Sequence, residues 1–325
     1  MARHSLWLMD SQYSPSGSRP GARRDEPGGV LFVGIGKMGM PMAGRLSAAG
    51  HVVAVRDIDQ AAVAHWNATH QAETPGVGIA MLMLPSSRAV ETVLEGPGGN
   101  GGGLLDELPR GAVVVDMGSS EPSSTVRMAT QARERGLGFV DAPVTGGLAG
   151  ALGGSLTVMI GGADHDVARV WPLLTILGST LVRTGEVGTG HAMKCLNNLV
   201  SAAGMLITAE AMTAGVRFGL DPAVMISVLN SGSGRTYTSE RKVPQFVFTG
   251  AFNSGFALQL MVKDVQTAVA LTNAVGSPGD FMQACAAAWI RAAGELPDFS
   301  DHTELVEWVA RQAGTTMVPT PPLPG

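Results

Sequence analysis

The chain of 325 residues contains only two cysteines, Cys195 and Cys285, and they lie far apart in the sequence. They form no CxxC pair, and the seven histidines form no HExxH or similar pair. Spacings of that kind mark zinc sites, so we expect no metal. So few cysteines also argue against a disulfide framework, and a reducing cytoplasm is the compartment that fits this composition.

Two further absences limit the partners of the chain. Its formal net charge is −5, so it has no surplus of basic residues to attract nucleic acid or an anionic membrane surface. No uninterrupted apolar run approaches the roughly 20 residues that a membrane-spanning helix needs. We therefore expect neither nucleic acid nor a membrane among the partners.

The two ends of the chain differ in composition from the rest. Residues 1–27 are rich in Ser, Arg, Pro and Gly, and their apolar patch is too short for the core of a secretory signal. We interpret them as a disordered extension outside the fold, and residues 315–325, which end in PTPPLPG, as a loose tail. The length between the two ends predicts two domains.

Residues 28–188 alternate short apolar strands with polar loops and helices, which is typical of a Rossmann-like, doubly wound parallel sheet. The strand predicted at 30–33 runs directly into GIGKMG, which contains Gly34, Gly36 and Gly39. In dinucleotide-binding folds these glycines allow a tight turn, the approach of a pyrophosphate and close packing of helix on strand. The pattern alone is weak in a chain with 44 glycines, but the strand before it and the helix after it are the required context.

Asp57 ends the second predicted strand about 20 residues past the first glycine, where a carboxylate can accept hydrogen bonds from ribose hydroxyls. A carboxylate there would repel a 2′-phosphate and so favours NAD, whereas Arg56 beside it could meet that phosphate and leaves NADP open. A turn residue at a strand end is the other interpretation of Asp57. Polar loops at Pro85, Ser119 and Thr145 follow later strands, so they belong to the rim of the sheet where ligands bind.

Residues 189–314 are helical in pattern throughout and form the predicted all-α second domain. The stretch 189–218 has no proline and is rich in Ala, Met and Leu, which predicts one long helix joining the domains. Lys194 and Asn198 lie four residues apart near its start and therefore share a face. A solvated helix end would also carry such residues, and the residues alone leave both interpretations open. We expect 231–244 to be a polar linker.

Four blocks of sequence resemble the β-hydroxyacid dehydrogenase family. They are GIGKMGMPMAGRL at 34–46, DAPVTGG at 141–147, GTGHAMKCLNN at 188–198 and KD at 263–264. The resemblance covers residues 29–312 and is more specific than any single block. It implies an NAD(P)-dependent oxidoreductase that reversibly oxidises a small β-hydroxy acid, similar to 3-hydroxyisobutyrate, to its semialdehyde or keto form. The apolar helical half also predicts a homodimer or homotetramer.

The resemblance also implies roles for individual residues. The catalytic acid/base of the family falls on Lys194, and Thr145 stands where serine is usual, which leaves the identity of the hydroxy acid open. The implied substrate-binding residues are Ser119, Thr145, Gly146, Gly147 and Asn198. The implied cofactor-binding residues are Gly34, Ile35, Gly36, Lys37, Met38, Gly39, Asp57, Leu84, Pro85, Ser119 and Lys263.

Two other functions compete with this interpretation, one catalytic and one non-catalytic. Imine reductases share the architecture but commonly carry Asp or Tyr where this chain has Lys194. Non-catalytic binding modules of the same fold lose that lysine. Because the lysine is present, the sequence favours a dehydrogenase over both alternatives.

Overall fold

The structure, a computed structural model, describes residues 28–70, 76–99 and 101–318. As the sequence predicts, a Rossmann-like sheet occupies the first half and helices occupy the second. Apolar side chains from the sheet form one buried cluster on each of its two faces, and the helical half has a separate buried cluster of its own. The long helix predicted between the halves belongs mainly to the cluster of the helical half.

The sheet of the first half has eight strands, whose central members are apolar and almost fully buried. Their Val-, Leu- and Ile-rich sequences suit strands that are covered by helices on both faces. The strands are β1 (Gly29–Val33), β2 (Val53–Arg56), β3 (Val77–Leu82), β4 (Val113–Asp116), β5 (Gly138–Asp141), β6 (Val144–Thr145), β7 (Leu156–Gly162) and β8 (Gly178–Gly185).

The strand order is β2-β1-β3-β4-β5-β7-β6, with β8 beside β7. The strands β1 to β5 run parallel, whereas β7 runs antiparallel to both β5 and β6. The first five strands are parallel, as the strand and helix alternation predicts, whereas β7 and β8 run in the opposite direction and make the sheet mixed. The order of strands reverses between β1 and β3, and in such sheets the ligand crevice opens beyond the carboxyl ends of the strands at that point.

The helices bury one face against the sheet or against one another. In the first half they are α1 (Gly39–Ala48), α2 (Gln60–Thr69), α3 (Ser87–Glu95), α4 (Leu104–Glu107), α5 (Pro122–Glu134), α6 (Gly147–Gly153) and α7 (Asp164–Leu177). In the second half they are α8 (Thr189–Phe218), α9 (Pro222–Ser231), α10 (Leu258–Ala274), α11 (Asp280–Glu295) and α12 (Glu304–Gln312). A π-helix, Thr238–Val247, precedes α10.

Two expectations for the second half need correction. The linker expected at 231–244 is helical from Thr238 onward, because Val243 and Val247 lie one turn apart and are fully buried. The tail expected from residue 315 is not loose at its start, since Met317 is buried and its backbone N–H donates to a Glu307 carboxylate oxygen.

The extension expected at 1–27 and the end of the tail, 319–325, lie outside the described residues.

Helix α8 has the bounds that the sequence predicts, and local chemistry explains its end. Gly219 follows it with a φ of +106°, a left-handed conformation that glycine adopts readily. Asp221 then caps α9 by accepting hydrogen bonds from the backbone N–H groups of Ala223 and Val224, and Pro222 occupies the first helical position.

By length and composition, α8 is the one helix among the described residues that could cross a membrane, with a mean hydropathy of 1.5 over 18 residues. A search for uninterrupted apolar runs misses it, because Lys194, Glu210 and Arg217 interrupt the helix. In the fold α8 packs against α10, α11 and α12 as the central helix of the second half. That position explains the apolar residues on its buried face, whereas Val200 and Ile207 are exposed.

The start of α8 is fixed to the sheet by the buried carboxylate of Asp141, the last residue of β5. One oxygen accepts a hydrogen bond from the Gly188 N–H at 2.7 Å, and the other accepts one from the His191 N–H at 2.9 Å. These N–H groups lie at a helix start, where backbone donors have no partner inside the helix. The next turn, which carries Lys194, is thereby held at the carboxyl edge of the sheet.

We expect the substitution Asp141→Ala to lower the free energy of unfolding by about 2–4 kcal/mol, because two buried backbone donors would lose their acceptor. Urea denaturation followed by circular dichroism measures this change. The control is Asp164→Ala, which removes an exposed carboxylate paired with Arg183 at the surface and should change stability little. Equal effects of the two substitutions would contradict the anchoring role of Asp141.

Candidate active site

The turn after β1 is closely packed between the strands at the switch point. Gly34 has a φ of +89°, and a Cβ on it would lie 2.4 Å from the Met83 carbonyl oxygen. A Cβ on Gly39 would lie 1.8 Å from the Gly34 carbonyl oxygen. Both positions therefore require glycine, as the tight turn and the close approach of helix to strand demand.

The same turn presents backbone donors at the start of α1. Within the described ranges, the N–H groups of Gly36, Lys37 and Met38 donate to no protein acceptor, and Gly36 and Lys37 are exposed. The Ile35 N–H donates to Asp57 Oδ2 at 2.7 Å, which brings this carboxylate beside the turn. Unpaired donors at a helix start suit a pyrophosphate, and the nearby carboxylate suits ribose hydroxyls. These residues fit an NAD-type dinucleotide.

The guanidinium of Arg56, which could meet a 2′-phosphate, has a carboxylate partner in the structure. It pairs with the Glu107 carboxylate at 2.6 Å on the exposed surface. The positive charge of Arg56, on which the alternative of NADP binding depended, is thus paired with Glu107. Asp57 stays beside the glycine turn. This arrangement favours NAD, although an exposed ion pair of this kind breaks at little cost in free energy.

Leu84 contacts both the glycine turn after β1 and the loop after β4. A Cβ on Gly34 would lie 3.0 Å from Leu84 Cδ2, and a Cβ on Gly118 would lie 2.7 Å from the Leu84 carbonyl oxygen. Pro85, next in the chain, is exposed. Because Gly118 precedes Ser119, the residues expected around the cofactor follow one another along the rim of the sheet.

A buried carboxylate, Asp264 in α10, gathers side chains from three parts of the chain. Its Oδ1 accepts a hydrogen bond from Ser119 Oγ at 2.7 Å and lies 2.9 Å from Lys263 Nζ. Its Oδ2 accepts one from Asn198 Nδ2 at 2.5 Å. The Lys263 ammonium also donates to the Ser119 carbonyl oxygen. The structure thus brings together Ser119, Asn198 and Lys263.

Asp264 is the residue that sequence reasoning missed. The KD block contains it, but only Lys263 was given a role there. The signal that would have identified it is chemical, because two lysines and an asparagine predicted in one apolar site need an acceptor of opposite charge.

Lys194 is buried near the start of α8, one turn before Asn198. Its ammonium donates to the Val144 carbonyl oxygen at 2.8 Å. Burial lowers the pKa of Lys194, the Asp264 carboxylate opposes that shift, and the Lys263 ammonium adds to it. A lysine whose pKa is lowered by burial can lose its proton closer to neutral pH, which is what a general base requires.

The loop expected to hold the substrate begins one residue after the acceptor of Lys194. Thr145 pairs with Thr157 across β6 and β7, and the chain then turns through Gly146 and Gly147 with φ values of +124° and +62°. The sequence places this loop directly beside the Val144 carbonyl that holds the lysine. The structure therefore puts Thr145 and its neighbours at the Lys194 end of the rim.

The expected site residues divide into two groups along this rim. Asp57 follows β2, and Asp141 ends β5, which is four strand spacings or about 19 Å away in the strand order and leads into the segment that carries Thr145. Gly34, Leu84 and Ser119 follow the strands between them. Asp57 and Lys194 therefore lie far apart along the rim. This separation is expected if Asp57 binds a ribose of an extended dinucleotide and Lys194 contacts the substrate at its other end.

The two thiols of the chain take no part in this chemistry. Cys195 follows Lys194, but its Sγ donates to the Ala192 carbonyl oxygen, and burial raises its pKa to about 11. Burial likewise raises the pKa of Cys285 to about 11. Both thiols are therefore protonated near neutral pH and are poor nucleophiles.

Comparison with known proteins agrees with this geometry. Residues 29–186 match the family described as the NAD binding domain of 6-phosphogluconate dehydrogenase, and 188–309 match NAD-binding of NADP-dependent 3-hydroxyisobutyrate dehydrogenase. The 2-(hydroxymethyl)glutarate dehydrogenase of Eubacterium barkeri is 39% identical over 247 residues, 74% of this chain and 81% of that protein. The chain belongs to the β-hydroxyacid dehydrogenase family.

Other relatives are consistent with membership of this family. Human mitochondrial 3-hydroxyisobutyrate dehydrogenase is 35% identical over 263 residues, 77% of each protein. The solved structure of Mycobacterium tuberculosis 3-hydroxyisobutyrate dehydrogenase with L-serine has a TM-score of 0.78, covering 87% of this chain and 99% of that chain. At 24% identity, this structural likeness shows a shared fold alone. The expected family, fold and class of NAD(P)-dependent oxidoreductase are confirmed.

We expect Asp57→Asn to weaken NADH binding by about tenfold or more, because a charged acceptor for the ribose is lost. The same change should narrow the difference in affinity between NADH and NADPH, since the repulsion of a 2′-phosphate falls. Fluorescence titration with each cofactor measures both effects. The paired variant Glu107→Gln releases Arg56 and should strengthen NADPH binding alone. Unchanged NADH affinity in Asp57→Asn would exclude Asp57 from the ribose site.

Proposed function

We propose that Lys194 is the acid/base of an NAD(P)-dependent dehydrogenase that reversibly oxidises a small β-hydroxy acid to its semialdehyde or keto form. The observation that supports this most directly is a buried lysine beside the Ser119, Asn198 and Asp264 cluster at the carboxyl edge of a Rossmann-like sheet. The relatives named above act, by their names, on 2-(hydroxymethyl)glutarate and 3-hydroxyisobutyrate. Both acids carry a hydroxyl on the carbon β to a carboxylate.

The residues of this chain supply proton transfer and orientation. When bound, the nicotinamide ring supplies the hydride-accepting carbon. In the oxidative direction, neutral Lys194 accepts the proton of the substrate hydroxyl, and in the reductive direction its ammonium returns that proton. Burial of the amine favours the neutral form, and the nearby Lys263 ammonium favours it further.

Other side chains hold the substrate in position for this transfer. Asn198 is fixed on both sides, because its Nδ2 donates to Asp264 and its Oδ1 accepts from Asn197 at 3.1 Å. The second Nδ2 hydrogen of Asn198 is then available to donate to the substrate. The hydroxyl of Thr145 and the glycines after it offer donors for the substrate carboxylate.

Lysine at position 194 also separates this function from its alternatives. Imine reductase chemistry is not supported, because the carboxylic or phenolic group expected there is replaced by a buried amine. A non-catalytic module has no use for an ammonium whose burial costs free energy. Lys194 is instead held in place by the Val144 carbonyl oxygen.

We further propose that the enzyme prefers NAD, works in the cytoplasm and assembles as a homodimer or homotetramer. The pairing of Arg56 with Glu107 supports the preference for NAD. The two buried cysteines, which form no disulfide, suit a reducing cytoplasm. Exposed apolar residues on α8 and α9, including Val200, Ile207 and Val228, support an interface between subunits.

Replacing Lys194 with Met should reduce turnover by about 100- to 10,000-fold, because the proton acceptor is lost while the apolar shape is kept. The assay follows NADH formation from 3-hydroxyisobutyrate and 2-(hydroxymethyl)glutarate. NADH binding by fluorescence should be nearly unchanged. Cys195→Ala, in the next position, is the matched control and should retain turnover. Full activity of Lys194→Met would remove the lysine from the mechanism.

The Asp264 carboxylate raises the pKa of Lys194, so its removal should lower that pKa further. Oxidation requires the neutral amine, and its rate therefore rises with pH through the pKa of Lys194. We expect Asp264→Asn to move this rise to lower pH, as measured from kcat/KM between pH 5 and 10. A profile that drops in height without shifting would show that Asp264 acts only through structure.

A further inference from the structure

A second lysine, Lys242, is buried in the middle of the π-helix and has no role in the chemistry above. Its Nζ lies 2.6 Å from His302 Nε2 and 3.5 Å from Ser201 Oγ. The other ring nitrogen of His302 lies 3.0 Å from the Phe256 carbonyl oxygen, which can only accept. Nδ1 of His302 is therefore the donor, and its Nε2 accepts from Lys242.

The charge of Lys242 is not balanced by its contacts. Within the described ranges, no carboxylate oxygen lies close enough to Lys242 Nζ, at 4.0 Å or less, to form an ion pair with it. Asp301, which stabilises the ammonium from a greater distance, accepts instead from the hydroxyls of Ser254 and Thr303 and from three backbone N–H groups. Burial lowers the pKa of Lys242 to about 8, so the ammonium persists near neutral pH.

Within the described residues, the Lys242 ammonium has two hydrogen-bond partners for its three N–H groups, His302 and Ser201. The ring of Tyr237 lies over it, with the ring centroid 5.7 Å from Nζ. A buried cation without a carboxylate in direct contact is stabilised when an anion comes within hydrogen-bond distance. A π-helix is rare and is found frequently at functional sites.

Lys242 lies near the face of α8 that carries the catalytic groups. Ser201 comes seven residues after Lys194, which places it two turns along the same face and about 10 Å away along the axis. Asn198 occupies the turn between them. A substrate held at Lys194 and Asn198 therefore has Ser201 and the Lys242 ammonium beyond its far end.

We propose that Lys242 binds a second carboxylate of the substrate, so that this enzyme prefers β-hydroxy dicarboxylic acids to monocarboxylic ones. The inference rests on the proposed function, because it assumes that substrate reacts at Lys194. One ammonium and one hydroxyl match a single negative charge. Neutral His302 orients the ammonium without competing for the anion.

Two substrates of nearly equal size test the preference. They are 2-(hydroxymethyl)glutarate and 2-(hydroxymethyl)pentanoate, in which a methyl group replaces the distal carboxylate. We expect a higher kcat/KM for the dicarboxylate in the wild-type enzyme, and a fall of the dicarboxylate-to-monocarboxylate ratio by about 30-fold or more in Lys242→Met. The control Arg241→Met removes an exposed positive charge one residue away and should leave the ratio unchanged.

A binding measurement separates this inference from the proposed reaction. Calorimetric titration with glutarate and with butyrate, in the presence of NAD, compares the same two charge states without turnover. Tighter binding of glutarate that is lost in Lys242→Met supports the subsite, even if neither hydroxy acid is oxidised, a result that would count against the proposed reaction alone. Equal binding of glutarate and butyrate by the wild-type enzyme, or an unchanged difference in Lys242→Met, would overturn the proposal.

Discussion

The position of Lys194 depends on one short segment that connects two strands of the sheet. Asp141, at the end of β5, holds the first turn of α8 through two backbone donors, and Val144, three residues later, accepts from the lysine itself. Helix start and side chain are therefore fixed to the same piece of backbone. The long helix is thereby tied at this end to the carboxyl edge of the sheet.

The electrostatics of the site follow from an unequal number of charges. The carboxylate of Asp264 pairs with the Lys263 ammonium at 2.9 Å, and it also stabilises the charge of the buried Lys194 without pairing with it. The excess positive charge favours the neutral form of the more buried lysine and attracts an anionic substrate. One carboxylate thus positions Ser119 and Asn198 and also sets the balance that makes an amine usable as a base.

The parts of the fold that the sequence predicts well are those with a strong local signal. Gly34 to Gly39 follow a buried strand, and α8 lies between glycines without an internal proline, so their places could be predicted from neighbouring residues alone. The roles of the residues near Lys194 were predicted from a resemblance to a family and not from the periodicity of the sequence.

The features that were missed depend on contacts distant in sequence. Strand β6 has two residues, and its direction is set by pairing with β7. The π-helix contains Pro244 and a charged stretch that read as a linker, yet Val243 and Val247 bury it. Asp264 becomes significant only when α8 and the loop after β4 approach it. Tertiary packing overrides local propensity in each of these places.

The buried thiols have a practical consequence for experiments on this enzyme. Cys195 and Cys285 are the only cysteines of the chain, and both are shielded and protonated near neutral pH. Maleimide and iodoacetamide reagents attack thiolates, so the native protein offers them no ready target. A cysteine introduced at an exposed position would accept a fluorophore or spin label selectively, without prior removal of the natural ones.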